Sequence, residues 1–298
     1  MNKNKVASVI VLYNPNWELL TKVINAASSQ TSTVFVVDNS ETDNKSEIEK
    51  RFSYFDNLVY KSLRKNVGIA KAQNIGVELV KGGGSEYIIF FDQDSIPVDG
   101  LVEALLLDFI HLRKNNVAVA TIGPMPLNSQ TNEFYKPRLR KNKKIIIENL
   151  DFYTTKQIIS SGGLMCVEDF EVIGNFEEGL FIDGVDHEWC WRAIRYNYFV
   201  FLSPRATLVH SLGDGDKKIL GIKIATTSSF RLYYQYRNYV ILSFRSYVPT
   251  YWKLNNLIKY LIKAIYYPVV RKDLKLFTRI FTGIKDGFDI VLNKTNAK

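Results

Sequence analysis

Asp92 and Asp94 stand one residue apart, directly after the apolar run Tyr87-Ile88-Ile89-Phe90-Phe91. Two carboxylates this close repel each other unless a cation or a proton lies between them. Their oxygens suit Mg2+ or Mn2+, ions that bridge to substrate phosphates instead of filling an all-protein cage. A solvated turn, with Asp94 or Ser95 capping the next element, is the plainer reading, and DxD alone does not choose between the two. A second acidic cluster lies in FIDGVDHEWCWR, residues 181–192, where Asp183, Asp186 and Glu188 are interleaved with two tryptophans. Asp186 falls in the first turn of a helix expected to run through Arg195. The helix dipole there favours an ionised carboxylate, which is what a general base requires; an N-cap is the bland alternative. Asp186 and Cys190 share one face of that helix, while Trp189 and Trp191 do not both share it, so at least one tryptophan belongs to the core.

Three further stretches have chemical possibilities. In Lys65-Asn66-Val67-Gly68-Ile69-Ala70, Asn66 and Gly68 fit a tight turn opening a helix whose free amides would favour an anionic or polar ligand; capping by Asn66 explains it too. In Ser160-Ser161-Gly162-Gly163-Leu164-Met165, small residues such as Gly163 let a ligand approach the backbone, and a plain turn serves equally. Ala206-Thr207-Leu208-Val209 reads as a strand ending in His210, one of three histidines, and a lone histidine is more often structural than a ligand.

The elements that must hold these residues alternate. Strands are expected at 6–13, 33–37, 58–62, 87–91, 117–122 and 206–210, and helices at 17–29, 46–53, 69–80 and 101–114. That order predicts an α/β sandwich with a mainly parallel sheet. Ligands in such sheets bind beyond the carboxyl ends of the strands. Asp38, Asn66 and the Asp92/Asp94 pair all come just after such ends, so one crevice could hold them.

The chain has 298 residues, of which 46% are hydrophobic and 23% charged, enough for a sizeable core. Two cysteines make neither a disulfide framework nor a CxxC metal site, which points to a reducing, cytoplasmic setting. The N-terminal apolar run stops at Asn14-Pro15 and reads as a first strand, not a signal peptide. No run of 18 apolar residues suggests a membrane-spanning helix. The net charge of +9 is concentrated: residues 231–298 hold 13 Lys/Arg against 3 Asp/Glu. Such asymmetry points to an anionic surface, membrane or nucleic acid. Leu254, Leu257, Ile258, Leu261, Ile262 and Ile265 form one helical stripe with Lys259 and Lys263 opposite. Phe277, Ile280, Phe281, Ile284, Phe288 and Val291 form a second. The expected division is a catalytic domain over 1–225 and a helical, membrane-associating or acceptor-side region over 226–298. The basic loop with Lys136, Arg138, Arg140, Lys141, Lys143 and Lys144 reads as a lid over phosphates or a solvated loop.

The pieces VIVLYNP, VVDNS, NVGIAKAQNIG, FFDQDS, SSGG, FIDGVDHEWCWRA and SPRATLVH, in that order, resemble an inverting family 2 glycosyltransferase of GT-A fold. With the later RLYYQYRN they look most like the bacterial rhamnosyltransferase subgroup, over about residues 6–240. The resemblance implies a three-layer nucleotide-sugar transferase fold with C-terminal basic amphipathic helices. It implies that Tyr13, Asn14, Asp38, Asn66, Gly68, Asp92, Gln93 and Gly163 line the nucleotide-sugar pocket. Asp94, Asp92 and His210 would hold Mg2+ or Mn2+, and Asp186 would be the base. Many members place an acid directly before the base; Val185 stands there here, which leaves Asp183 and Glu188 as rivals. The implied donor is dTDP-β-L-rhamnose. The implied acceptor is a lipid-linked saccharide of a surface polysaccharide, O-antigen or capsule, at the cytoplasmic face of the inner membrane.

Three other classes compete. DQDSI also resembles a dehalogenase-type phosphatase motif, but that fold wants it near the N-terminus with a later acidic pair. A different nucleotide sugar, or a non-catalytic nucleotide-sugar-binding scaffold, would keep the fold. Nucleic-acid binding would use the basic tail, yet tyrosines at helical spacing are more often core or interfacial.

Overall fold

The computed structural model describes residues 5–128, 144–148, 150–210, 217–219, 222–224, 228–270, 273 and 275–296. The strands are β1 (Val6–Leu12), β2 (Thr33–Asp38), β3 (Leu58–Ser62), β4 (Tyr87–Asp92), β5 (Val119–Asn128), β6 (Lys144–Ile147), β7 (Leu150–Thr155), β8 (Leu164–Cys166) and β9 (Phe199–His210). They form one nine-stranded sheet in the order β3-β2-β1-β4-β8-β5-β9-β7-β6, and β10 (Lys217–Ile219) pairs with β11 (Ile222–Ile224) in a separate ribbon. β8 and β7 run against the other strands of the sheet. The helices are α1 (Trp17–Gln30), α2 (Lys45–Phe52), α3 (Ile69–Gly82), α4 (Leu101–Lys114), α5 (Asp169–Ile173), α6 (Val185–Arg195), α7 (Ser229–Ser243), α8 (Thr250–Val270) and α9 (Lys275–Asn296).

Side-chain alternation along the strands builds two cores. Val6, Ile10, Leu12, Val34, Val36, Ile89 and Phe91 face α1, α2 and α4. Ala7, Val9, Phe35, Val37, Ile88 and Phe90 face α3, α5 and α6. This is the period of two expected when a sheet is covered on both sides. α3 approaches the sheet closely because position 76 is glycine: a Cβ there would lie 2.4 Å from Val9 Cγ1. Both Trp189 and Trp191 are buried, so the helix that carries Asp186 is anchored through two indoles, not one.

The register brings the chemistry together. Leu12 pairs with Asp38 and Val11 with Asp92, so Tyr13, Asp38 and Asp92 emerge at one edge of the sheet. β3 ends opposite Asp38 at Ser62, which delivers Asn66 and Gly68 to the same edge.

Sequence patterning located β1–β4, α1–α4, the start of β5 and the C-terminal end of β9 within a few residues; it did not find β6, β7 or β8, and β5 runs on to Asn128, past the expected end at 122. β8 has only three residues and comes after a glycine pair, so no alternation can declare it. Its partners are distant, Ile88 and Ile89 on one side and Thr121 and Ile122 on the other.

The expected boundary at 225/226 falls outside the described residues. α7 faces two ways across it. Ile241 and Leu242 join the core under α3 and α6, while Leu232 and Tyr236 pack with Tyr267, Leu276 and Ile280 of α8 and α9.

Candidate active site

A cavity of about 1070 Å³ opens at the carboxyl edge of β1 and β4. Its wall includes Tyr13, Asn66, Gly68, Asp92, Gln93, Asp94 and Asp186, so seven of the residues singled out in the sequence share it. Asn14, Asp38 and Gly163 are not on that wall. Asn14 stands beside it at φ 47°, its amide donating to Ser40 Oγ. Asp38 is fully buried behind it, accepting from Ser40 N, Asn44 Nδ2 and Tyr60 Oη at 3.0, 2.8 and 2.7 Å. It shapes the loop that presents Asn39 and Glu41 to the cavity. Burial and the Asp38 carboxylate raise the pKa of Tyr60 far above the ordinary phenol value, so the phenol stays a hydrogen-bond donor. Gly163 sits under the floor, its amide donating to Ser160 O. The side chain of His210 lies outside the described atoms; its backbone pairs with Asn128 at the end of β9. Of the basic loop, 136–143 lie outside the described residues, and Lys144 pairs with Asp151.

Local chemistry fixes the wall. Gln93 holds Tyr13 reciprocally, accepting from its N–H at 2.9 Å and donating to its C=O at 3.1 Å. Asn39 Oδ1 accepts from Val67 N and Asn39 Nδ2 donates to Asn66 Oδ1, which also accepts from Gly68 N. Gly68 opens α3 at φ +85°, and a Cβ would lie 2.6 Å from the Phe181 ring, so only glycine fits without a shift. The SSGG turn ties the two acidic groups together. Ser161 Oγ accepts from Asp92 N at 3.0 Å, and Ser160 N donates to Asp186 Oδ2 at 3.2 Å.

Asp92 reaches cavity water, yet the concave wall strips part of its hydration. That desolvation, with the like charges of Asp94 and Asp186, pushes its carboxyl above the ordinary aspartate value. A carboxylate held in this state gains from a nearby cation, which fits a divalent ion at the pair. Among the described residues no three carboxylate, imidazole or thiol groups converge as a ready metal cage. Two carboxylates with open positions suit Mg2+ or Mn2+ bridging to phosphate.

The three acids of the second cluster separate in space. Glu188 is 0% exposed and is engaged by Arg192, Arg245 and the Tyr247 hydroxyl. It braces α6 and is not on the wall of this cavity. Asp183 faces the cavity but is gripped by Arg231, whose Nε and Nη2 donate to it at 2.7–3.0 Å. Among the described residues, Asp186 lines the cavity with backbone amides alone, Ser160 N and its neighbour His187 N, on its oxygens. Cys190, one turn on, is buried and its thiol is pushed up to about 12, which removes it as a nucleophile.

Sequence reasoning did not single out Glu41, Phe181, Phe230, Arg231 or Tyr234, which also line the wall. The last three stand on α7. Phe181 stacks on Tyr234 with centroids 4.7 Å apart, and Asn238 Nδ2 donates to the carbonyls of Leu180, Ile182 and Asp183. The one available signal was the RLYYQYRN spelling, which names residues without saying what they touch.

A mainly parallel α/β sheet with an acidic pair at the carboxyl edge of β4 and Asp186 at the start of a later helix defines a nucleotide-sugar transferase of GT-A type. The chain belongs to glycosyl transferase family 2, whose model matches residues 8–174. That span includes Asp92 and Asp94 and ends before Asp186. The chain is 36% identical over 258 residues to the dTDP-rhamnosyl transferase RfbF of Shigella flexneri, covering 84% of this chain and 83% of that protein. It is 33% identical over 103 residues to the glycosyltransferase GlyG of Streptococcus pneumoniae serotype 4, about a third of each chain. Among solved structures, GalNAc-T7 with UDP, GalNAc and Mn2+ superposes with TM-score 0.57 at 14% identity, over 82% of this chain and 48% of that one. S. aureus TarS 1-349 in complex with UDP superposes with TM-score 0.52 at 16% identity, over 81% and 66%. These two similarities concern the fold.

Proposed function

We propose that this glycosyltransferase moves L-rhamnose from dTDP-β-L-rhamnose onto a hydroxyl of a lipid-linked saccharide, with inversion, during assembly of a bacterial surface polysaccharide. The observation that carries it is the gathering of Asp92, Asp94 and Asp186 on the wall of one cavity, in a chain whose relative over most of its length is a dTDP-rhamnosyl transferase.

The β1, β2 and β3 ends, with Tyr13, Asn39 and Asn66, receive the nucleoside. Asp94 and Asp92, with His210 as a third ligand, would hold Mg2+ or Mn2+. When bound, that ion supplies Lewis-acid charge and a template for the diphosphate. Asp186 accepts the proton of the acceptor hydroxyl. The oxygen bonds to the anomeric carbon as the bond from that carbon to the phosphate oxygen breaks, and the electron pair leaves with the diphosphate. One displacement turns a β donor into an α linkage. Asp186 is favoured as base because it is the acid of its cluster that reaches the cavity without a cationic partner among the described residues, and geometry selects before pKa does.

The acceptor reading includes peripheral contact with an anionic membrane. Its support is the exposure of Leu254, Leu257, Ile258, Leu261 and Ile265 on α8 and of Phe277, Phe281, Phe288 and Leu292 on α9. Lysines flank these stripes, and apolar surface beside basic charge matches an anionic lipid surface. No helix among the described residues is long and apolar enough to cross a membrane.

The deciding experiment tracks hydrolysis and transfer over a panel of nucleotide sugars, with Mn2+, Mg2+ or EDTA, for wild type and Asp186→Asn. Turnover of dTDP-rhamnose that needs the ion and falls about 10²–10⁴-fold in the variant is expected. Turnover of another donor alone would discard rhamnose. Metal-independent turnover indifferent to Asp186 would discard the mechanism.

A further inference from the structure

We propose that Arg231, held edge-on by Asp183, is a binding residue for the diphosphate of the nucleotide donor. The inference rests on the reading of the cavity as a nucleotide-sugar site and names a residue that reading did not use.

Asp183 occupies one edge of the guanidinium. Nε donates to both carboxylate oxygens, at 3.0 and 2.9 Å, and Nη2 donates at 2.7 Å. Nη1 makes no hydrogen bond among the described residues. Guanidinium offers five N–H donors in a rigid fork, so engaging one edge leaves the other able to grip a second oxyanion. The side chain is 53% exposed and lines the cavity with Asp92, Asp94 and Asp186. Asp186 and Asp92 lie close enough to act on its charge, and it in turn moderates that of Asp92.

Charge accounting gives this cation a task. Glu41, Asp92, Asp94, Asp183 and Asp186 line the cavity, and Arg231 is the one Lys or Arg among its described lining residues. A dication held by two carboxylates is neutral overall, so it leaves the charge of a diphosphate uncompensated. A guanidinium at the same wall offsets that charge, and offsets more as the bond to the sugar breaks and the electron pair passes to the phosphate oxygen. Planar forked donors match phosphate oxygens in pairs.

The mounting is rigid. Ser228 Oγ accepts from Arg231 N at the start of α7. Asp183 adopts φ 66°, an uncommon conformation for a non-glycine residue, and its carbonyl is held by Asn238 at 2.9 Å. Such strain persists where surrounding contacts over-determine it, commonly at functional sites. The rival account is a staple: the pair joins α7 to the 181–184 turn and touches no substrate.

Calorimetric titration of the full chain in Mg2+ with dTDP and with thymidine separates the two accounts. Wild type, Arg231→Ala, Arg231→Lys and Asp183→Asn are compared. Arg231→Ala is expected to bind dTDP about 10- to 100-fold more weakly, the range for a lost hydrogen bond to a charged group, with thymidine affinity unchanged. Arg231→Lys, which keeps charge without the fork, and Asp183→Asn, which frees the fork, should fall between. Retained thymidine binding certifies the fold of each variant. Unchanged dTDP affinity in Arg231→Ala overturns the proposal. So does a parallel loss of dTDP and thymidine, which is the staple's signature. If wild type binds UDP in place of dTDP, the same comparison with UDP and uridine decides. If wild type binds neither nucleotide, the donor reading falls and takes the proposal with it.

Discussion

Asp92 is an aspartate whose ionised form the fold disfavours. Its carboxyl is raised by burial in the cleft, by Asp94 and by Asp186, so between the ordinary aspartate value and the raised one the folded chain binds more protons than the unfolded chain. Stability contributed by this residue therefore falls as pH rises through that window. Asp92→Asn is expected to melt slightly higher than wild type at neutral pH, by about 1–2 °C given solvent screening in an open cavity. The difference should close below the ordinary aspartate value. Scanning calorimetry across pH checks it; a variant that melts lower at neutral pH would mean the carboxylate is already compensated. Gly68 gives a second prediction at this scale. Ala at φ +85°, with its Cβ against Phe181, should reduce nucleotide affinity on titration, because the ring that supports α3 must move.

At the scale of elements, the base-bearing helix is positioned by a segment that precedes it and a helix that comes some forty residues after it. Phe181 O accepts from Ile69 N at the start of α3, while α7 grips the same turn through Asn238 and through Arg237, which donates to the carbonyls of Gly179 and Leu180. Asn238 is 2% exposed and satisfies three carbonyls. Asn238→Ala should cost about 1–3 kcal/mol, since buried acceptors lose their donor. It should also lower kcat more than it weakens nucleotide binding, because it loosens the approach to Asp186. Urea unfolding and steady-state kinetics measure the two effects. A stable but inactive variant would show the turn to be a purely catalytic support. β8 belongs to this scale as well: three residues running against their neighbours bring the SSGG turn under Asp92 and Asp186.

For the molecule as a whole, α7 joins the catalytic core to α8 and α9, whose outward faces are apolar beside lysines. Replacing Leu257, Leu261 and Ile265 by Ser leaves buried residues untouched, so the fold should persist. Sedimentation with vesicles containing anionic lipid should drop severalfold relative to wild type, and wild-type binding should weaken as salt screens the lysines. Equal sedimentation by both proteins would remove the membrane from the account of the acceptor.

The order of strands and helices through α4 and the acidic pair at the end of β4 were legible because they rest on local periodicity: two for a strand, near three and a half for a helix. The local pattern also declared the helix that carries Asp186, and the family resemblance singled that residue out as the base. What periodicity could not reach was the fate of each acid. Asp183, Asp186 and Glu188 belong to one short chain segment, alike in charge. Packing drives Glu188 inward onto Arg245, 57 residues away, and pairs Asp183 with Arg231, 48 residues away. Only Asp186 is left facing the cavity on backbone amides. The same holds for Asp38, which local position put at the pocket and burial put behind it. The strands and helices through α4 depend on neighbours a few residues apart, and the sequence alone determined them. Which carboxylate is free depends on partners brought in by long-range packing, and only the tertiary structure decided it.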